Sequence, residues 1–125
     1  MESLFPSEAN HYLDLTQLQA PHIHFFTASE GDTTLGTGAL AVKDGYGEVK
    51  SMFTAPEARG KGCASALLRA IEDQARGLGL PLLRLETGSK LHDAHRLYGR
   101  HGFTPCGRFG DYPENEYSLF MEKAL

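Results

Sequence analysis

A chain of 125 residues with 41% apolar and 22% charged residues is long enough for one buried core and too ordinary for wholesale disorder. Its net charge of −4 and the lack of any long basic block offer no stripe for nucleic acid. No apolar run nears the roughly 20 residues of a membrane span, Met1–Ala20 lacks the form of a secretory signal, and two cysteines are too few for a disulfide scaffold. The expectation is one slightly acidic soluble domain over residues 1–125 in a reducing cytoplasm, with neither nucleic acid nor membrane as partner.

Taken in chain order, the stretch from Asp14 to Gln19 predicts a short helix stopped by Pro21. From Ile23 the pattern turns strand-like. Ile23–Thr27, Thr34–Val42 and Tyr46–Thr54 are three strand candidates, separated by turns at Glu30-Gly31-Asp32 and Lys43-Asp44-Gly45. They predict an antiparallel meander. The period then changes to 3.6: Ala64, Leu67, Leu68, Ile71, Ala75 and Leu78 form one apolar face, with Ser65, Arg69, Glu72, Asp73 and Arg76 opposite. This helix is ended by Gly77 and Gly79. Leu82–Thr87 follows as a buried strand, Asp93–His101 as a second helix capped by Gly102, and Thr104–Arg108 and Tyr117–Glu122 as the last strands. A meander followed by strand, helix, strand, helix and strand predicts an α/β or α+β sandwich of mixed strand direction.

The chemistry concentrates in the segment from Met52 to Ala64. Gly60 and Gly62 allow close approach of a ligand to the backbone. The unpaired amides at a helix start, with the dipole behind them, favour an anion, and Arg59 and Lys61 add positive charge. That combination suits a phosphate or pyrophosphate, and it equally describes a glycine turn capping an ordinary helix. Neither the dinucleotide fingerprint G-x-G-x-x-G nor the P-loop string is present, since Ser65 stands where the third glycine would be.

Arg59-Gly60-Lys61-Gly62-Cys63-Ala64 resembles the acyl-coenzyme A loop, [RQ]-x-x-G-x-[GA], of the GNAT superfamily of N-acyltransferases. The run Ala94-His-Arg-Leu-Tyr98-Gly-Arg-His-Gly102-Phe103 is similar to that family's A-x-x-L-Y-x-x-x-G-F. The resemblance covers Ile23 to the C-terminus. It implies a splayed mixed sheet of about six strands flanked by helices, opening between Tyr46–Thr54 and Leu82–Thr87. The family's usual first strand is expected to be missing, and the edge it leaves implies a homodimer. The implied function is transfer of an acetyl group from acetyl-coenzyme A to an amine of a small molecule, amino acid or peptide in a ternary complex, with no metal. A non-catalytic acyl-coenzyme A sensor or interaction module is the alternative.

Carried over residue by residue, the resemblance assigns the pyrophosphate to Arg59, Gly60, Lys61, Gly62, Cys63 and Ala64. It assigns pantetheine pairing to the main chain of Met52 and Thr54, and polarisation of the acetyl carbonyl to the region of Phe53. Tyr98 is the implied general acid and Glu48 the implied general base. Leu91 departs from the pattern, standing where many members carry a cofactor-touching asparagine.

Other candidates come from the residues themselves. Glu86 is a second base or a strand-end cap. His92 and His95 stand at i, i+3 as a metal pair or as solvated histidines. His22 and His24 share a strand face that lines a cleft or faces solvent. Cys63 is a thiol with a lowered pKa or a small packing residue. The aromatic loop Phe109–Pro113 either shapes the acceptor site, with Asp111 and Tyr112 as substrate contacts, or packs on the sheet.

Overall fold

The computed structural model describes residues 14–58, 60, 62–113 and 115–125. Its centre is a seven-stranded sheet in the order β1-β2-β3-β4-β5-β7-β6. The strands are β1 (Asp14–Ala20), β2 (Ile23–Glu30), β3 (Thr33–Lys43), β4 (Tyr46–Thr54), β5 (Leu82–Gly88), β6 (Thr104–Cys106) and β7 (Ser118–Ala124). All neighbours are antiparallel except β4 and β5. A short 3-10 turn at Pro56–Ala58 leads toward α1 (Cys63–Gly77), and α2 (His92–Arg100) follows β5. Among the described residues no helix is long and apolar enough to cross a membrane.

Two expectations change at the N-terminal side. The residues expected to form a short helix are strand β1, which pairs with β2 from Asp14↔Ser29 to Ala20↔Ile23. A helix this short gains few internal hydrogen bonds for its nucleation cost, whereas pairing with β2 satisfies the backbone along the whole segment. Pro21 and His22 supply the connection: proline at the first turn position, then a residue with φ of 65°, as a type II turn requires. The sheet therefore has seven strands rather than about six. The open β2 edge that motivated a homodimer is covered by β1.

One face of the sheet carries both helices. Leu67, Leu68 and Ile71 of α1 are fully buried against Leu40, Leu83 and Leu85 of the sheet. Tyr98 and Phe103 join the same core from α2 and its exit, their rings edge to face at 5.8 Å. His101 Nε2 lies 3.0 Å from Ser65 Oγ, tying the end of α2 to the first turn of α1. Each helix stops where a glycine takes a left-handed conformation: Gly79 at φ 77° and Gly102 at φ 93°. At each stop the next amide reaches back into the last turn, Leu80 to Ala75 and Phe103 to Tyr98, both at 3.0 Å.

The opposite face is covered over β4, β5 and β7 by the segment between β6 and β7. Phe109 is its anchor, with ring centroids 5.6 Å from Tyr46, 5.6 Å from Tyr112 and 5.4 Å from Phe120. The Arg84 guanidinium lies 4.9 Å over the Tyr46 ring and 5.6 Å over Phe109. Of the two roles open to this aromatic loop, packing on the sheet is therefore established.

The sheet opens between β4 and β5. Their parallel pairing runs only from Gly47↔Leu83 to Val49↔Leu85, although β4 continues to Thr54 and β5 to Gly88. The cause lies on the other side of β4. Thr37 faces Phe53 and Ala39 faces Lys50, so Gly38 opposes two residues, Ser51 and Met52. This bulge puts Ser51 at φ 58°, and Thr37 Oγ1 donates to the Ser51 carbonyl at 3.0 Å. The extra residue bends β4 away from β5.

Close approach fixes one glycine near this bend. A Cβ on Gly36 would lie 2.5 Å from Cys63 Sγ and 2.9 Å from the Phe53 carbonyl oxygen. Gly36→Ala is expected to lower stability by about 1–3 kcal/mol through overpacking, because the contact is partly with backbone. A chemical denaturation midpoint equal to wild type would contradict this packing.

Candidate active site

The gap between β4 and β5 is a cleft of about 380 Å³, lined by Val49, Lys50, Ser51 and Met52 on one side and Glu86, Thr87 and Gly88 on the other. Leu91, Tyr98 and Tyr112 close it. Past Val49 the backbone groups of β4 that point away from β3 have no strand partner among the described residues. Met52 is half-buried with its sulfur packed where Gly38 leaves room, Phe53 is exposed, and Thr54 pairs with Gly36. These three expected cofactor residues thus lie together along one free strand edge.

The start of α1 lies beyond the end of that edge. Gly60 and Gly62 have φ of 86° and 76°, and a Cβ on either would meet open space. Gly62 caps α1 in the left-handed conformation, no side chain among the described residues bonds to the cap, and the first turn carries no acidic residue. Ala66 is the first residue whose amide bonds back, to the Gly62 carbonyl at 3.0 Å. The amides of Cys63, Ala64 and Ser65 precede it and lie at the positive end of the helix dipole. Arg59 and Lys61, expected to add positive charge here, lie outside the described residues. Cys63 is the packing residue of the two alternatives: its side chain is buried against Gly36, and burial pushes the thiol pKa up.

Tyr98 is buried, lines the cleft, and its hydroxyl makes no hydrogen bond among the described residues. A buried phenol without a partner is unusual in a core, and this one opens on a cleft. Burial raises its pKa. Glu86 lines the same cleft and is held by the Ser118 hydroxyl, which donates to Oε2 at 2.6 Å. Its partner is thus a side chain across the sheet rather than a capped amide.

Glu48 sits one residue before the strands part, its side chain only 4% exposed. The Tyr112 hydroxyl donates to Glu48 Oε2, Lys50 Nζ donates to the Tyr112 oxygen at 3.2 Å, and Lys50 Nζ lies 3.6 Å from the same carboxylate oxygen. The hydrogen bond to Tyr112 is the main reason the Lys50 pKa is raised, with the Glu48 charge adding to it. Desolvation, then the bond to Glu48, raises the Tyr112 phenol. Arg108 Nη1 donates to the Tyr112 carbonyl at 3.0 Å, which holds the loop in place.

A second cleft of about 530 Å³ opens on this side, lined by Lys43, Asp44, Tyr46, Glu48, Lys50 and the loop from Gly110 to Pro113. Lys50 and Tyr112 line both clefts and form the wall between them. Asp111 lies on the second cleft only, exposed, so the structure separates it from Glu86, which lies on the first.

The histidine pairs do not gather at either cleft. His22 is exposed in the β1–β2 turn, whereas His24 is buried and its Nδ1 accepts from Gln17 Nε2 at 3.0 Å. His95 Nε2 donates to the Gly88 carbonyl at 2.8 Å and stacks edge to face with His92 at 5.6 Å. Among the described residues no group of three or more His, Cys, Asp or Glu is placed to hold a metal. Leu91, where the resemblance has an asparagine, lies against Gly88 at the cleft wall. Lys50 is the site residue that sequence reasoning passed over. Its signal was alternation, since Tyr46, Glu48 and Lys50 project from one face of β4.

Residues 1–103 match the profile of the acetyltransferase (GNAT) family. A protein of Azospirillum brasilense named IAA acetyltransferase is 48% identical over 124 residues, 98% of this chain and 81% of that one. A crystal structure of an acyl-CoA N-acyltransferase from Klebsiella pneumoniae superposes with a TM-score of 0.85 at 28% identity, covering 93% of this chain and 99% of that one. A GNAT family acetyltransferase of Elizabethkingia anophelis with acetyl-CoA bound superposes at a TM-score of 0.76 over 90% of this chain and 98% of its own; at 16% identity that likeness is one of fold.

The buried Tyr98 phenol has a consequence for stability. Its pKa is raised in the folded chain above the unfolded value near 10, so the folded state keeps the proton longer. Folded stability from this group is whole below about pH 10 and is lost as pH rises through the folded value. Tyr98→Phe is expected to flatten the alkaline fall in unfolding free energy above about pH 10. An equally steep fall in the variant would contradict the burial of this hydroxyl.

Proposed function

We propose that this chain, which belongs to the GNAT acetyltransferase family, transfers an acetyl group from acetyl-coenzyme A to the amine of a small molecule, amino acid or peptide in a ternary complex. The observation that carries the reading is the Tyr98 hydroxyl, without a partner among the described residues, in the gap between β4 and β5. The chain's own features fit the coenzyme at three points. The uncapped first turn of α1, with two left-handed glycines and no acidic residue, suits a pyrophosphate. The free edge of β4 from Ser51 to Thr54 suits the amide groups of pantetheine. The cleft beyond it has room for a thioester. A fold neighbour crystallised with acetyl-CoA supports the same choice.

When bound, acetyl-coenzyme A supplies an acyl group activated as a thioester. In this proposal Gly60, Gly62, Cys63 and Ala64 hold its pyrophosphate through backbone amides, with Arg59 and Lys61 contributing charge. The main chain of Met52 and Thr54 aligns it, and an amide in the Phe53 region polarises the acetyl carbonyl. Glu48 takes the proton of the attacking amine, directly or across one water. As the C–N bond forms and the C–S bond breaks, Tyr98 donates a hydrogen bond and then its proton to the leaving sulfur. Asp111, Tyr112 and Glu86 border the space the acceptor approaches through. A reducing cytoplasmic setting belongs to the same proposal, since Cys63 and Cys106 are both free thiols.

Two variants test it. Tyr98→Phe keeps the ring that packs on Phe103 and removes only the hydroxyl. We expect kcat to fall by roughly 10²-fold with acetyl-coenzyme A affinity unchanged. Full kcat would show that the hydroxyl has no catalytic part. Gly62→Asp places a carboxylate where the phosphate is assigned and is expected to abolish calorimetric binding of acetyl-coenzyme A while the circular dichroism spectrum persists. Unchanged affinity would refute the pyrophosphate assignment.

A further inference from the structure

The wall between the two clefts presents a cation and an anion side by side, and that pair limits what can bind there. Glu48 is buried, yet only one of its oxygens is engaged: Oε2 takes both the Tyr112 hydroxyl and the nearby Lys50 ammonium. Oε1 has no hydrogen-bond partner among the described residues, and a buried carboxylate oxygen without a donor is costly until one arrives. Lys50 is the complement. Its ammonium has three protons, of which Tyr112 accepts one, and its side chain is 44% exposed toward the clefts.

A plain ammonium approaching Glu48 would also approach Lys50, whose charge sits 3.6 Å from the carboxylate. In partly buried surroundings that repulsion offsets much of the attraction. A ligand that carries a carboxylate on the same carbon as its amine escapes the conflict. Its amine meets Glu48 Oε1 and its carboxylate meets Lys50, so the two ion pairs lie antiparallel. The second cleft, about 530 Å³ in all, is also lined by Tyr46, Lys43, Asp44 and Asp111, which gives it room for a side chain beyond the Glu48 and Lys50 contacts.

We infer that the acceptor is a free α-amino acid, with Lys50 holding its carboxylate and setting the preference for it. This deepens the transferase reading and rests on it. No residue of the pyrophosphate loop takes part.

The test is release of free thiol from acetyl-coenzyme A, with a pool of free α-amino acids compared with a pool of their α-carboxamides. The best matched pair is then measured with wild type, Lys50→Gln and Lys50→Arg. Wild type should favour the free acid by about tenfold or more in kcat/KM, the size of one charge-assisted contact. Lys50→Gln should raise KM for the acid by about tenfold and bring the acid-to-amide ratio close to one, while Lys50→Arg restores the preference. Because Lys50 also touches Tyr112, a fall in kcat shared by both acceptors is expected and does not bear on the ratio. A wild type that uses carboxamides as well as acids, or a Lys50→Gln ratio equal to wild type, would overturn the inference and leave the transferase reading standing. No thiol release from either pool would overturn this inference alone. The transferase reading falls with it only if a panel of other amines and peptides also releases no thiol while calorimetric binding of acetyl-coenzyme A is intact.

Discussion

The divergence of β4 from β5 after Val49 and Leu85 is the constraint from which the rest of the site follows. A continuous sheet would satisfy the backbone of β4 from Lys50 to Thr54 and leave nothing for a ligand to pair with. The bulge opposite Gly38 prevents this by giving β4 one residue more than β3 can match. The distortion is held from outside the gap. Thr37 bonds to the Ser51 carbonyl, Met52 fills the space that Gly38 leaves, and Ile71 of α1 stands just beyond it. A left-handed conformation at Ser51 is unfavourable for a non-glycine residue and persists only where neighbours over-determine it, as they do here.

Each side of the gap is then supplied with a different kind of chemistry. On the helix side, α2 brings a buried phenol to the cleft, its position fixed by Phe103 and by the glycine stop at Gly102. On the open side, the segment between β6 and β7 brings Tyr112 down on Glu48. That contact depends on Phe109, which packs on Tyr46, Tyr112 and Phe120 and is flanked by the Arg84 guanidinium. A loop of this length would be mobile if it relied on its own hydrogen bonds; an aromatic anchor in the sheet face makes its tip a defined wall.

Most of the fold was legible because its signals are local. The apolar face of α1, the turn at Lys43-Asp44-Gly45 and the glycine stop after α2 all appear in the structure where the residue pattern places them. The exception was β1. Its seven residues carry no strong period, and what decides their conformation is the partner strand, which the local pattern does not show. The site divides in the same way. Gly60, Gly62 and Tyr98 stand out through motif and spacing, but the link between Glu48 and Tyr112 joins residues 64 positions apart. Lys50 was hidden for a simpler reason. An exposed lysine on a strand is ordinary until its neighbours are known, and those neighbours come from another part of the chain.

The central claim is that the free edge of β4 receives the coenzyme as an added strand. Amide hydrogen exchange, with and without acetyl-coenzyme A, tests it most directly, because it reports on individual backbone groups. The account predicts slowed exchange within Ser51–Thr54 and in the first turn of α1, with β1 and β2 unchanged. Binding with no added protection of Ser51–Thr54, or protection confined to other strands, would contradict it.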